Sequence, residues 1–472
     1  MNGTIEQVRA RVADQKTRQP ELYGDIDFTV TPERFTQDPA DSIAPRTVKG
    51  AEPTAEHFDL VRAYTLLGDR VADAYAGLMP QHGFRGLIAM LTKACDEGLE
   101  AVPDAPPELV AFIRNMEQVP DWVDMDLVRE GARLDRNAAA NLSPFAIRGA
   151  FVATFMNKYA ALPMALTGTL GHETAARRVN ETASFFTTTL LPDALERHGA
   201  GFKAAAMVRL MHSMVRFNAL RRPGAWDSKV YGVPIPQVDQ MPAGLIPIFL
   251  LSYKLLARGR TTFTPAERAR VELSRYRCYL LGLPEDLLAD TPVGVVQTMT
   301  ARNQTLRRGF DDETCGALVR ATLAAYLPPD RSWRNRLFDT VERGFAKVFF
   351  LRQFMGGDVG AAERMGVRIT AGDRALFLLV AAIVTSRMAA YDLALKIPGL
   401  RGLVDRDLVA QLRRHLVRYG HAEFTTDAAQ YRPTTGGQRE TALPKGDGAA
   451  RPGQGADGGV TPFGAKVGEA RR

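Results

Sequence analysis

From about residue 55 to residue 421, apolar side chains recur at intervals of three and four, and period-two alternation is nearly absent. This constrains the fold more than any other feature, because a three-to-four spacing buries one face of a helix and scrambles both faces of a strand. It predicts helices over 55–78, 84–97, 107–116, 126–137, 143–167, 173–190, 201–219, 241–257, 265–281, 334–352, 372–394 and 405–421. Thr264-Pro265-Ala266-Glu267 reads as a capped start, with proline at the first helical position. The one extended stretch, KVYGVPIPQVDQ (229–240), holds two prolines and reads as a shaped loop. No repeat of fixed period is present. The expectation is an all-α protein folded as a single large helical globule.

The two ends differ from this middle. Residues 1–50 are polar and rich in Pro, Asp and Thr, and read as an N-terminal arm, loose or lying on the surface. Residues 426–472 are Gly/Pro-rich without apolar periodicity and read as a disordered tail. Residues 51–425 are then the helical domain. Its apolar runs AGLIPIFLLSY (243–253) and ALFLLVAAIV (375–384) fall short of the roughly 20 residues that span a bilayer, and read as buried core helices. With no signal-type apolar run in the polar N-terminus, the expectation is a soluble, cytoplasmic protein without a transmembrane segment. The net charge of +7 is modest for 472 residues and forms no basic stripe with interleaved aromatics, so nucleic acid is not an expected partner. Cys95, Cys278 and Cys315 are far apart and form no CxxC, which reads as three buried thiols.

Several chemistries lack their motifs. There is no GxxxxGK[ST], no strand-led GxGxxG, no GxSxG and no HExxH. No helix offers the Glu-x-x-His of a di-iron bundle. The seven histidines, at 57, 82, 172, 198, 212, 415 and 421, are scattered.

One of them stands out. In VRLMHSMVR (208–216), His212 sits among Leu210, Met211, Met214 and Val215, with Arg209 and Arg216 on the same helical face. The residues admit two readings. One is a core imidazole bonded to a carbonyl, with arginines reaching outward. The other is a single axial ligand to haem iron, which asks for one nitrogen, an apolar slot and cations for two propionates. In the preceding helix, Arg178 and Thr182 share a face that Glu181 adjoins. That cluster fits surface pairing and fits the polar lining of an active site.

Six segments occurring in order carry a family resemblance: VPDWVDMDLVREGA (119–132), KYAALPMALTGTL (158–170), RRVNETASFF (177–186), VRLMHSMVR (208–216), WDSKVYGVPIPQVD (226–239) and RYRCYLLGLPEDLLADTP (275–292). Over roughly residues 60–300 the chain resembles the latex-clearing protein (rubber oxygenase) and MpaB-type oxygenase family. The resemblance implies an all-α fold with a pocket for one haem b, held non-covalently. It implies His212 as the iron ligand and Arg209, Arg178 and Thr182 around the haem. It also implies dioxygen as co-substrate and oxidative cleavage of an alkene in an isoprenoid or other apolar chain. Rubber oxygenases carry a lysine just before the threonine and a glutamate one helix earlier. Here those places hold Glu181 and, near Leu162, no acid, which leaves Glu181 as the candidate base beside Thr182 and Arg178. The alternative reading is a haem protein without oxygenase activity: a sensor, a carrier or a peroxidase-like enzyme.

Overall fold

The computed structural model describes residues 2–33, 48–166, 172–222, 224–305 and 309–420. Every regular element among them is a helix, as the spacing predicts. The chain opens with α1 (Asn2–Arg18) and α2 (Pro20–Tyr23), then α3 (Ala55–Thr65), α4 (Arg70–Ala76), α5 (Met79–Glu97) and α6 (Pro107–Glu117). Next come α7 (Met125–Asn141), α8 (Ser143–Ala153), α9 (Lys158–Leu166), α10 (His172–Thr188) and α11 (Ala200–Arg221). A short α12 (Ser228–Tyr231) precedes α13 (Met241–Leu256), α14 (Pro265–Leu280) and α15 (Pro292–Gln304). The chain closes with α16 (Ala317–Ala324), α17 (Trp333–Phe354), α18 (Val359–Arg364), α19 (Ala371–Ala394) and α20 (Pro398–Tyr419).

α11 runs through the main core. Phe202, Ala206, Leu210, Met214 and Phe217 are all buried there, beside Tyr75 of α4, Leu87 of α5 and Phe112 of α6. It ends at Arg222, which is extended because Pro223 follows and disfavours a helical residue before it. A second core lies between α3, α13, α14 and α15. A third joins α8 and α9 to α16, α17 and α18. There the fully buried Arg148 guanidinium is satisfied by Glu342 at 2.8 Å, Asp339 at 3.1 Å and the Thr322 and Ala325 carbonyls at 2.7 Å. The three cysteines are free and buried, as expected.

The structure departs from the pattern in several places, and α15 and α16 fall where no helix was expected. The expected arm at 1–50 contains α1, whose Ile5, Val8 and Val12 are buried in the second core. Gln15 ties it down, donating to the Leu66 carbonyl at 2.6 Å and accepting from the Gly68 amide at 3.1 Å. Three apolar residues on a polar helix are enough for one narrow buried stripe. The helix expected over 55–78 breaks because Asp69 caps a new one, accepting from the Ala72 amide at 3.2 Å. The helix expected over 143–167 breaks at the extended Asn157, whose side chain accepts from the Tyr159 amide at 2.9 Å and restarts the helix as α9. The run 375–384 is not a buried core segment. Phe377, Val380 and Val384 are buried, but Leu378, Leu379 and Ile383 are exposed. α19 is also the one described helix long and apolar enough, by length and composition, to cross a membrane. The segment 229–240 holds short helical turns at Ser228–Tyr231 and Gln237–Gln240 around the expected loop. The expected tail at 426–472 lies outside the described residues.

Candidate functional site around His212

The two arginines flanking His212 are explained by α4. Asp69 and Asp73, four residues apart, face α11 and take one guanidinium each. Arg209 donates from Nε and Nη2 to the two Asp69 oxygens at 2.6 and 2.8 Å, and it reaches the Asn115 side-chain oxygen at 3.1 and 3.2 Å. Arg216 pairs with Asp73, whose other oxygen accepts from the Tyr23 hydroxyl at 2.6 Å. The Pro234 and Ile235 carbonyls, in the loop after α12, take the remaining Arg216 donors at 3.1 and 2.5 Å. These side chains are almost wholly buried. Burial pushes the Asp69 carboxyl up, but Arg209, Arg216 and the Ala72 amide together outweigh burial and hold it below the ordinary range. The packing leaves no spare room, since a Cβ on Gly68 would overlap the Tyr23 hydroxyl and the Asp73 carboxylate.

His212 lies between these two pairs and is half-buried. Its Nδ1 is 3.0 Å from the Gln240 side-chain nitrogen, at the threshold of α13. Among the described residues Nε2 has no hydrogen-bond partner. Burial lowers the imidazole pKa to about 4, helped by the positive charges of Arg216 and Arg178 and opposed by Asp69. The ring is therefore neutral near pH 7, the form that binds a metal. Gln240 decides which nitrogen is open. Presenting its NH2, it leaves the proton on Nε2. After a half-turn of the amide its carbonyl accepts from Nδ1–H and frees the Nε2 lone pair, the arrangement a ligating imidazole requires.

Across from His212, α10 supplies Arg178, whose charge reaches the imidazole. Arg178 contacts Glu181 at 3.3 Å and Arg177 contacts it at 3.7 Å, so the carboxylate is held loosely by two cations. Burial nevertheless raises the Glu181 pKa, with Arg178 and Arg177 offsetting only part. Thr182 is half-buried next to Glu181, and no hydrogen bond fixes its hydroxyl among the described residues. Leu162, where an acid is absent by sequence, is buried.

The structure thus brings Arg178, Glu181 and Thr182 together on α10, and the charge of Arg178 reaches His212. It gives Arg209 to Asp69 and Asn115 instead. Sequence reasoning did not find Gln240, Asp69, Asp73 or Arg277. Arg277 of α14 is a buried guanidinium that lies over the Phe186 ring at 5.1 Å and donates to the Thr189 hydroxyl at 3.2 Å. Its Nε has no partner, and no carboxylate pairs with it among the described residues.

No group of three or more His, Cys, Asp or Glu side chains among the described residues is placed to hold a metal ion. The donor set at His212 is one neutral nitrogen in an apolar helix, and it fits a group such as haem that asks the protein for a single ligand. The fold and site define an all-α protein with one neutral, buried-helix histidine whose Nε2 has no partner among the described residues. The model of the family described as "ER-bound oxygenase mpaB/B'/Rubber oxygenase, catalytic domain" matches residues 140–386, a little over half of the chain. The chain belongs to that family. The match starts later and runs further than the resemblance carried by residues 60–300. Among solved structures, the chain is similar to latex clearing protein LCP in the closed state, with a TM-score of 0.53 and 17% identity over 81% of this chain and 96% of that one. At that identity the likeness shows the fold. No curated protein sequence matches.

Proposed function

We propose that this protein is an oxygenase that holds haem b through His212 and uses dioxygen to cleave or oxidise an alkene in an isoprenoid or other apolar chain. The observation that carries the reading is a neutral imidazole whose Nδ1 meets the Gln240 amide and whose Nε2 has no partner among the described residues, in a chain of an oxygenase family. Haem iron, when bound, supplies the activation of dioxygen. The remaining work falls to side chains. His212 Nε2 would hold the iron, and Gln240, with its amide turned to present the carbonyl, would fix the ring by accepting from Nδ1–H. Arg277, buried with no carboxylate at ion-pair distance among the described residues, would be the cation suited to a propionate; Arg209, already occupied by Asp69, serves by holding α11 against α4. Arg178 places positive charge across from the imidazole. Glu181, raised by burial, takes an allylic proton from the substrate, and Thr182 offers a hydroxyl beside it.

The test is oxygen uptake by the haem-loaded protein with a short isoprenoid alkene. Uptake matched by carbonyl product is the expected result, and Glu181→Gln abolishes most of it. A haem protein without oxygenase activity is the second reading, favoured by the two cations that already neutralise Glu181. It predicts a haem spectrum with no alkene-dependent uptake.

A further inference from the structure

Among the described residues the outer face of α19 has no partner. Leu378, Leu379, Ile383 and Leu393 are 61%, 60%, 52% and 65% exposed, and the apolar surface continues through Ile397, Leu400 and Leu403 into α20. No charged residue occurs between Arg374 and Arg387. From Ala375 to Leu393 this stripe is about 27 Å long at helical rise. The opposite face is closed: Phe377, Val380 and Val384 pack in a core with Phe345 and Val348 of α17, and Asp373 contacts Lys347 at 3.3 Å. α19 is therefore one side of a packed helix pair with a free apolar back.

Beside the stripe lies a cavity of about 490 Å³ between α19 and α20. Phe145, Phe338 and Val384 line it together with Arg387, Arg414 and Arg418. Asp407 is the one carboxylate in the lining. It stands 3.9 Å from Arg414, while Arg418 has no ion-pair partner among the described residues. The local field is positive enough to register on His415, which contacts the Ala140 carbonyl at 2.9 Å. Burial, then Arg418, Arg414 and Arg387, depress its pKa. Residues 371–420 hold eight cations against four carboxylates.

Such a surface needs an occupant that is apolar in its middle and anionic at its margin. A second copy would bring the same basic margin and a chain of net charge +7. Residues 421–472 are Gly/Pro-rich and hold no apolar run long enough to cover the stripe. We propose that the α19–α20 corner docks on an anionic phospholipid bilayer, with the stripe lying in the acyl boundary and Arg387, Arg414 and Arg418 meeting headgroup phosphates. The helix lies on the bilayer and does not cross it, because its inner face is committed to α17. This stands independently of the haem reading.

The test is flotation of the full-length protein with vesicles of phosphatidylcholine alone or mixed with phosphatidylglycerol. The expected result is at least about tenfold more protein bound to the mixed vesicles at low salt, falling as salt rises. Leu379→Glu with Ile383→Glu changes only exposed positions; circular dichroism checks its fold, and it loses binding to both vesicles. Arg414→Ala with Arg418→Ala loses the preference for the anionic vesicles. Absence of the parent from the phosphatidylglycerol fraction overturns the proposal. So does a parent that runs at twice the monomer mass when the Leu379/Ile383 variant is monomeric, since a second copy then covers the face.

Discussion

The charges on the two sides of His212 are built differently. Toward α4, Arg209 and Arg216 are buried, each matched by its own carboxylate and by further acceptors from Asn115 and the 234–235 carbonyls. Toward α10, Arg178 and Glu181 are only partly buried and meet at 3.3 Å, with Arg177 sharing the same carboxylate. A fully paired buried seam is rigid and costly to break. A loose, partly solvated pair can exchange partners and protons. The comparison teaches that the two arginines near His212 in sequence are committed to α4, whereas the loosely held charges lie on the neighbouring helix.

The largest expected effect breaks the rigid side. Arg216→Met leaves Asp73 buried without its cation and lowers stability by about 3–5 kcal/mol, read as a shifted urea midpoint. Adding Asp73→Leu to that variant recovers much of the loss, which separates the penalty of a stranded charge from the worth of the pair. On the loose side the effects reverse. Glu181→Gln changes stability by about 1 kcal/mol or less. It lowers alkene-dependent oxygen uptake by about 100-fold or more.

A smaller effect tests the orienting amide. Gln240→Leu removes the Nδ1 partner and weakens haem affinity by about 10- to 100-fold. Gln240→Glu, which offers only acceptors, holds or improves that affinity; titration followed by absorbance measures both. The smallest effect concerns pH. In the haem-free protein the His212 ring stays neutral down to about pH 4, so its NMR resonances do not move through pH 6.5. The unfolded chain takes up that proton first as pH falls from about 6.5, so this residue's contribution to stability is complete above 6.5 and declines toward pH 4. Urea midpoints at pH 7 and pH 5 check the sign.

The helices and His212 were legible in the sequence because both are local signals: a repeated spacing, and one polar residue breaking an apolar face. The partners were not. Asp69 and Asp73 lie about 140 residues before the arginines they hold, and Gln240 ends a proline-bearing segment with no periodicity to show where it faces. Arg277 is one of several arginines in α14, and only the packing of Phe186 and Thr189 around it shows that its direct contacts are a ring and a hydroxyl. α1 was hidden by polarity, with three buried apolar residues in a helix of seventeen. The outward face of α19 was hidden for the opposite reason: ALFLLVAAIV is apolar all round, so its spacing carries no direction.

The most direct measurement is a haem titration of the parent and of His212→Ala, followed by visible absorption. A site built on one open nitrogen predicts a saturable Soret band in the parent that is lost or shifted in the variant, with both proteins equally folded by circular dichroism. A parent that takes up no haem, or a variant whose band matches the parent's in position and affinity, would contradict the assignment of His212 as the ligand.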